Sequence, residues 1–202
     1  ILSGYTGSGK TVVLKELKAT GNHIIDLEGL AKHRGSAFGG MKEPQPTQEM
    51  FENILVEALV GLNAEKEPIW IEDESQRIGN LNIPPSLWQT MRMARLYLLD
   101  VPFEERLKHI VEEYGVIDKG ELINATTRIQ KRLGGVETKS CIEYLQNDKT
   151  KEAFGILLKY YDKHYLKAFK KRGLPEEEIE KVICDMVNGK VNSEKLLECK
   201  TK

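Results

Sequence analysis

Gly4, Gly9, Lys10 and Thr11 stand within residues 1–11, ILSGYTGSGKT, at the spacing G-x-x-x-x-G-K-[ST]. Residues of these types in this order bind phosphate. Gly4, Gly7 and Gly9 permit a tight turn whose backbone N–H groups point inward. Residues 7–11, Ser8 among them, then lead into a helix whose positive end adds to the pocket, and Lys10 contributes a point charge. Thr11 sits where such a loop offers its hydroxyl to Mg²⁺, so the expected ligand is a di- or triphosphate bridged by that metal.

Such a loop needs a strand before it and a helix after it. Ile1 and Leu2 supply the end of an apolar strand, and the pattern from Lys10 to about Ala19 reads as a helix closed by Gly21. A second strand is expected over residues 22–27, with Asp26 and Glu28 at its carboxyl end. In open α/β sheets ligands gather beyond the carboxyl ends of the strands, which sets residues 30–40, LAKHRGSAFGG, beside the phosphate. Arg34 is the candidate clamp on a phosphate oxygen, with Ser36 next to it, while Gly35, Gly39 and Gly40 allow close backbone approach; His33 reads as structural.

A break at Pro44 to Pro46 precedes a packing helix capped by Thr47. Residues 68–75, PIWIEDES, form an apolar run ending in acids and resemble a Walker B strand. Asp73 is paired with Thr11 as the candidate metal site and is also a candidate base. Alternation along a strand nevertheless leaves open which of Glu72, Asp73 and Glu74 faces the loop. Arg77 directly follows and is a further candidate for phosphate or nucleic-acid contact. A helix over 84–94 and a strand over 95–101 complete the sheet.

From Pro102 onward strand signals stop, and residues 103–114, 119–133, 139–146 and 150–171 carry helical spacing, with another helix opening at Pro175. The expected fold is therefore α/β, with a P-loop NTPase-like parallel sheet core over residues 1–101 and an α-helical C-terminal extension over 102–202 packed on it. Within the extension Arg128 and Arg132 lie four apart on one expected helix face, a fork suited to phosphates as in the lids of small P-loop kinases. Phe154, Leu158, Tyr161, Tyr165 and Phe169 make an apolar stripe expected to be core. Lys159, Lys163, Lys167 and Lys170 stand opposite and are the candidate contact for a nucleic-acid backbone.

Composition bounds these readings. The chain's 202 residues are 40% apolar, enough for a proper core, and 30 basic against 31 acidic residues leave a net charge of −1. That balance excludes a generally basic nucleic-acid binder and demands a local patch. Cys141, Cys184 and Cys199 are scattered without CxxC spacing, which fits a reducing, cytoplasmic compartment and no zinc site. No apolar run approaches the roughly 20 residues of a membrane span. Ile1 stands already within a strand, so a further segment is expected before it.

The ordered set GYTGSGKT, DLEGLAKHRGSAFGG, QPTQEMFEN, WIEDESQRIG, RLGG and YYDKHY resembles the P-loop portion of tRNA 2-selenouridine synthases over nearly the whole chain. The resemblance implies action on a wobble 2-thiouridine of tRNA. A geranyl group passes from geranyl diphosphate to sulfur, and the geranylthio group is then exchanged for selenium from selenophosphate. Both donors carry phosphate, so Lys10, Arg34, Arg77, Arg128 and Arg132 become candidates to offset charge as diphosphate departs, and the lysine stripe becomes a candidate tRNA contact. Members of this family commonly carry a rhodanese domain whose cysteine serves the selenium step. No such signature is found here, so a rhodanese domain or separate rhodanese subunit is the expected partner. The competing readings are an ATP-dependent small-molecule kinase and a non-catalytic tRNA-binding subunit.

Overall fold

Leu2, Ser3 and Gly4, buried throughout, form β1 (Leu2–Gly4), and the glycine turn beyond them feeds α1 (Lys10–Ala19), which buries Val13, Leu14 and Leu17 along one stripe. The protein is described here from a computed structural model over residues 1–36, 38, 44–62 and 67–200. Next come β2 (Ile24–Ile25) and α2 (Leu27–Ala31), the latter capped by Asp26, whose carboxylate accepts the Gly29 N–H at 2.8 Å. Thr47 caps α3 (Gln48–Val60) in the same way, as expected from sequence. β3 (Trp70–Ile71) precedes an antiparallel hairpin of β4 (Arg77–Ile78) and β5 (Leu81–Asn82), which sequence had not suggested. α4 (Pro85–Met93) then leads into β6 (Leu96–Asp100).

The helices that follow are α5 (Phe103–Tyr114), α6 (Lys119–Arg128), α7 (Gln130–Leu133), α8 (Gly135–Gln146) and α9 (Thr150–Arg172). The chain then returns through a 3₁₀ turn at Glu176–Glu178 to β7 (Ile179–Ile183) and ends in α10 (Gly189–Lys200). β1 lies parallel to β6, with Leu2 opposite Tyr97, and β6 lies parallel to β7, with Leu96 opposite Ile179. β2 pairs parallel with β3, and a parallel bridge between Leu2 and Glu72 sets β3 beside β1. The Asp73 N–H donates to the Leu2 carbonyl there at 2.8 Å. The strand order is β2-β3-β1-β6-β7, an α/β parallel sheet with β1 in the middle. The loop after β1 therefore opens at the centre of the carboxyl edge, where ligands collect in such sheets.

Three apolar clusters hold these layers. Leu14, Leu17, Leu99, Val182 and Leu196 bring α1 and α10 against the sheet. Phe51, Leu55, Ile71, Ile78 and Met91 pack α3, α4 and the hairpin against β2 and β3. Leu107, Leu122, Cys141, Phe154 and Leu158 join α5, α6, α8 and α9.

Two local expectations are corrected. The segment after Pro175, read as a helix, makes only a 3₁₀ turn, and its residues Ile179–Ile183 extend the sheet as β7. Glu180 and Lys181 give this strand the charged character of a sheet edge, a pattern easily confused with the first turn of an acidic helix. The helix expected over 119–133 is interrupted at Ile129, where the Ile129 N–H bonds the Thr126 carbonyl at 3.2 Å in a tightened turn. Just before the break the Thr126 and Thr127 hydroxyls donate to the carbonyls of Leu122 and Ile123 at 2.9 and 2.8 Å, a back-bonding that bends helices. Arg128 and Arg132 thus belong to separate helices rather than sharing one continuous face.

Candidate functional site

The phosphate loop has the backbone its glycines imply. Gly7 and Gly9 both lie at φ 78°, a left-handed conformation costly for other residues. A Cβ on Gly7 would also stand 2.9 Å from the Arg106 carbonyl oxygen. Gly9 heads α1, so the positive end of that helix points into the loop. The Lys10 ammonium lies back over the loop and donates to the Gly4 carbonyl at 3.2 Å.

The acids after β3 line one cavity but take different partners. The Thr11 hydroxyl donates to Glu72 Oε1 at 2.9 Å; Glu72 is 1% exposed, and its Oε2 has no hydrogen-bond partner among the described residues. Asp73, expected to pair with Thr11, lines the same cavity but is held by other partners. Its Oδ2 accepts from the Ser3 hydroxyl at 2.6 Å and its Oδ1 from Arg172 Nη1 at 2.6 Å. Strand alternation is the cause: neighbouring side chains leave on opposite sides, and the bridge to Leu2 fixes which side Glu72 takes. The carboxylate beside the phosphate loop is therefore Glu72.

Glu28 from α2 and Glu74 join it. Oxygen atoms of Glu28, Glu72 and Glu74 all lie within 4.8 Å of one another. Burial pushes the Glu28 carboxyl well up, and the charges of Glu74 and Glu72 push it further. Burial raises Glu74 as well, with Glu72 adding to the effect. Glu72 is raised by burial, opposed by Lys10 and by the hydrogen bond from Thr11. Three hard oxygen donors beside a threonine hydroxyl and a phosphate loop suit a divalent cation such as Mg²⁺, and the unpartnered Glu72 Oε2 fits the same ligand.

Loop and acids share a cavity of about 280 Å³, close to the small end of the roughly 300–1,000 Å³ of ligand pockets. Its opposite wall is apolar and aromatic: Phe38, Ile110 and Tyr114, then Phe154, Leu157, Leu158, Tyr161 and Tyr165 along α9. The α9 stripe, expected to be core, is partly that, since Phe154 and Leu158 are buried, and it also walls this cavity. Arg34 and Ser36 line the cavity as expected. The Arg34 guanidinium pairs with Glu113 at 2.7 Å and lies 5.5 Å from the Tyr114 ring centre. Gly39 and Gly40 lie outside the described residues.

Arg77, Arg128 and Arg132 do not line the cavity. Arg77 is exposed on the β4–β5 hairpin, its Nε donating to the Gly79 carbonyl at 2.9 Å. Two side chains that sequence reasoning passed over are Arg106 and Asp162. Arg106 is 4% exposed, donates to the Thr6 carbonyl in the loop at 2.9 Å and to the Val101 carbonyl at 3.1 Å. It also grips Asp162 of α9 with two bonds, at 2.9 and 2.8 Å. The available signal was a charge on an apolar helix face, Arg106 falling with Phe103, Leu107 and Ile110.

A parallel sheet with this loop at its central carboxyl edge defines a P-loop α/β domain. The family model described as tRNA 2-selenouridine synthase AAA domain matches residues 1–182, and the chain belongs to that family. A tRNA 2-selenouridine synthase of Hydrogenovibrio crunogenus is 42% identical over 147 residues, covering 66% of this chain and 39% of that protein. The protein of the same name from Shewanella frigidimarina is 34% identical over 202 residues, covering 85% of this chain and 54% of its own length. The chain thus spans about half, or less, of these curated relatives. Among solved structures, TT1252 from Thermus thermophilus overlays 99% of this chain and 94% of its own at 16% identity, with a TM-score of 0.43. Among the described residues no helix is long and apolar enough to cross a membrane.

Proposed function

We propose that this chain is the diphosphate-handling part of a tRNA 2-selenouridine synthase and carries out the geranyl transfer. The sulfur of wobble 2-thiouridine attacks C1 of geranyl diphosphate. A carbon–sulfur bond forms as the carbon–oxygen bond breaks, the electron pair leaves with diphosphate, and the N3 proton of the thiouridine passes to the Glu74 carboxylate on the cavity wall. Its environment suits the task, since burial, with the charge of Glu72 beside it, raises Glu74 to about 7, where a carboxylate exchanges a proton at neutral pH.

The backbone N–H groups of residues 7–11, the α1 terminus and Lys10 hold the diphosphate and stabilise its growing charge. Arg34 supplies a guanidinium on the cavity wall. Mg²⁺, held by Thr11 and Glu72, would supply further neutralising charge to the leaving group. The observation that carries the reading is the union of a phosphate loop and an apolar wall in one cavity. A nonpolar chain ending in diphosphate matches both. Exchange of the geranylthio group for selenium from selenophosphate is assigned to a rhodanese domain or subunit working with this chain on cytoplasmic tRNA.

The test is to incubate the chain with thiolated tRNA and geranyl diphosphate, digest the tRNA, and seek the geranylated nucleoside by mass. Its appearance supports the reading. Its absence from a folded chain that binds both substrates refutes it.

A further inference from the structure

Along the last half of α9, lysines recur at one-turn intervals: Lys159, Lys163, Lys167 and Lys170, all exposed and lining one shallow groove. At about 1.5 Å per residue they span about 16 Å, with about 6 Å between successive members of the first three. Their ammonium groups have no carboxylate partner among the described residues. The acid in the same groove, Asp162, is neutralised by its two bonds to the buried Arg106 guanidinium. The groove therefore projects positive charge from a chain whose formal net charge is −1.

The position of this face matters as much as its charge. The neighbouring face of α9 walls the P-loop cavity through Leu158 and Tyr161. A strand lying along the lysines consequently runs within one helix width of the cavity, close enough for an unstacked base to reach it. We infer that the lysine face of α9 is the docking surface for the sugar–phosphate backbone of the tRNA. Evenly spaced, unpaired cations are the means by which proteins bind a polyanion without reading its sequence, leaving base selection to the cavity. The inference rests on the proposed function for the identity of the polyanion.

The experiment measures binding of a tRNA bearing wobble 2-thiouridine at several salt concentrations, for the wild-type chain and two variants. One variant replaces Lys159, Lys163, Lys167 and Lys170 by Gln, the other by Arg. The Gln variant is expected to lose affinity on the order of 10- to 100-fold, and its slope of log affinity against log salt should flatten by about 3. The Arg variant should keep both affinity and slope. Unchanged diphosphate affinity in the Gln variant shows that it remains folded; if it does not fold, Lys163→Glu and Lys167→Glu singly carry the same test. Wild-type binding matched in affinity and slope by the Gln variant overturns this surface and leaves the functional reading standing. No tRNA binding by the wild-type chain overturns the functional reading and the surface together.

Discussion

Arg172, the last residue of α9, donates to Asp73 Oδ1 at 2.6 Å across a separation of 99 positions in sequence. A second guanidinium nitrogen of Arg172 donates to the Met91 carbonyl. Asp73 also accepts from Ser3, whose hydroxyl meets Tyr165 of α9 at 2.8 Å. Asp73 thus ties α9 to the central strand, while its neighbour Glu72 meets Thr11 in the phosphate loop. Both acids line the cavity, but Asp73 is held by the tie to α9 and Glu72 by the phosphate loop.

Asp73→Ala should therefore be mainly a stability variant. Arg172 is 2% exposed in its side chain and Asp73 13%, and leaving one partner of such a pair buried alone costs about 3–5 kcal/mol. Denaturant unfolding should show a loss of that size. Diphosphate affinity, measured where the variant is still folded, should stay near that of the wild type.

Glu72→Gln should behave in the opposite way. It keeps the shape and an acceptor for Thr11 but removes the anionic oxygen that a cation would use, so turnover should fall about 10- to 100-fold. Because burial disfavours the Glu72 charge, the unfolding free energy at neutral pH should hold or rise. Parallel assays of stability and geranyl transfer separate this variant from Asp73→Ala.

Lys10→Ala should weaken diphosphate binding about 10- to 100-fold, the equivalent of one hydrogen bond to a charged group, and turnover should fall with it. Titration calorimetry with inorganic diphosphate reads the effect directly. Unaltered affinity would show that the diphosphate sits elsewhere.

The carboxylate cluster should make the ligand-free protein sensitive to pH. Glu28, Glu72 and Glu74 are raised above their unfolded values, so their contribution is fully present below the ordinary carboxylate range. It is lost as pH rises through the raised native values. Melting at about pH 5 and about pH 8 should show this decline, and Glu74→Gln should reduce it by removing one charge from the cluster. Added Mg²⁺ should restore stability at the higher pH, since it binds only the assembled site.

Replacing Cys141, Cys184 and Cys199 together by Ser should leave geranyl transfer largely intact. None of the three lines the cavity. Burial pushes the Cys141 thiol up and raises Cys184 to about 11, so neither is an activated thiolate. Nucleoside mass analysis with the triple variant, with and without an added rhodanese domain, checks the division of labour. Loss of geranylation in a folded variant would contradict it.

The phosphate loop was legible in the sequence because its function depends on local chemistry: glycines that accept left-handed backbone, then a lysine and a threonine that open a helix. Most helices were legible for a similar reason, since an amphipathic stripe repeats within a few residues. The choice between Glu72 and Asp73 was not, because adjacent strand residues differ only in the face they take, and the bridge of Glu72 to Leu2 decides that face. Residues Ile179–Ile183 likewise become a strand only by pairing with Leu96–Asp100, and their charges read locally as the start of a helix. Glu28 and Glu74 become one cluster, and α9 becomes a cavity wall, only when the chain returns across the sheet. Local patterns determined which segments could bind phosphate and coil; long-range pairing and burial decided which acids and apolar side chains meet there.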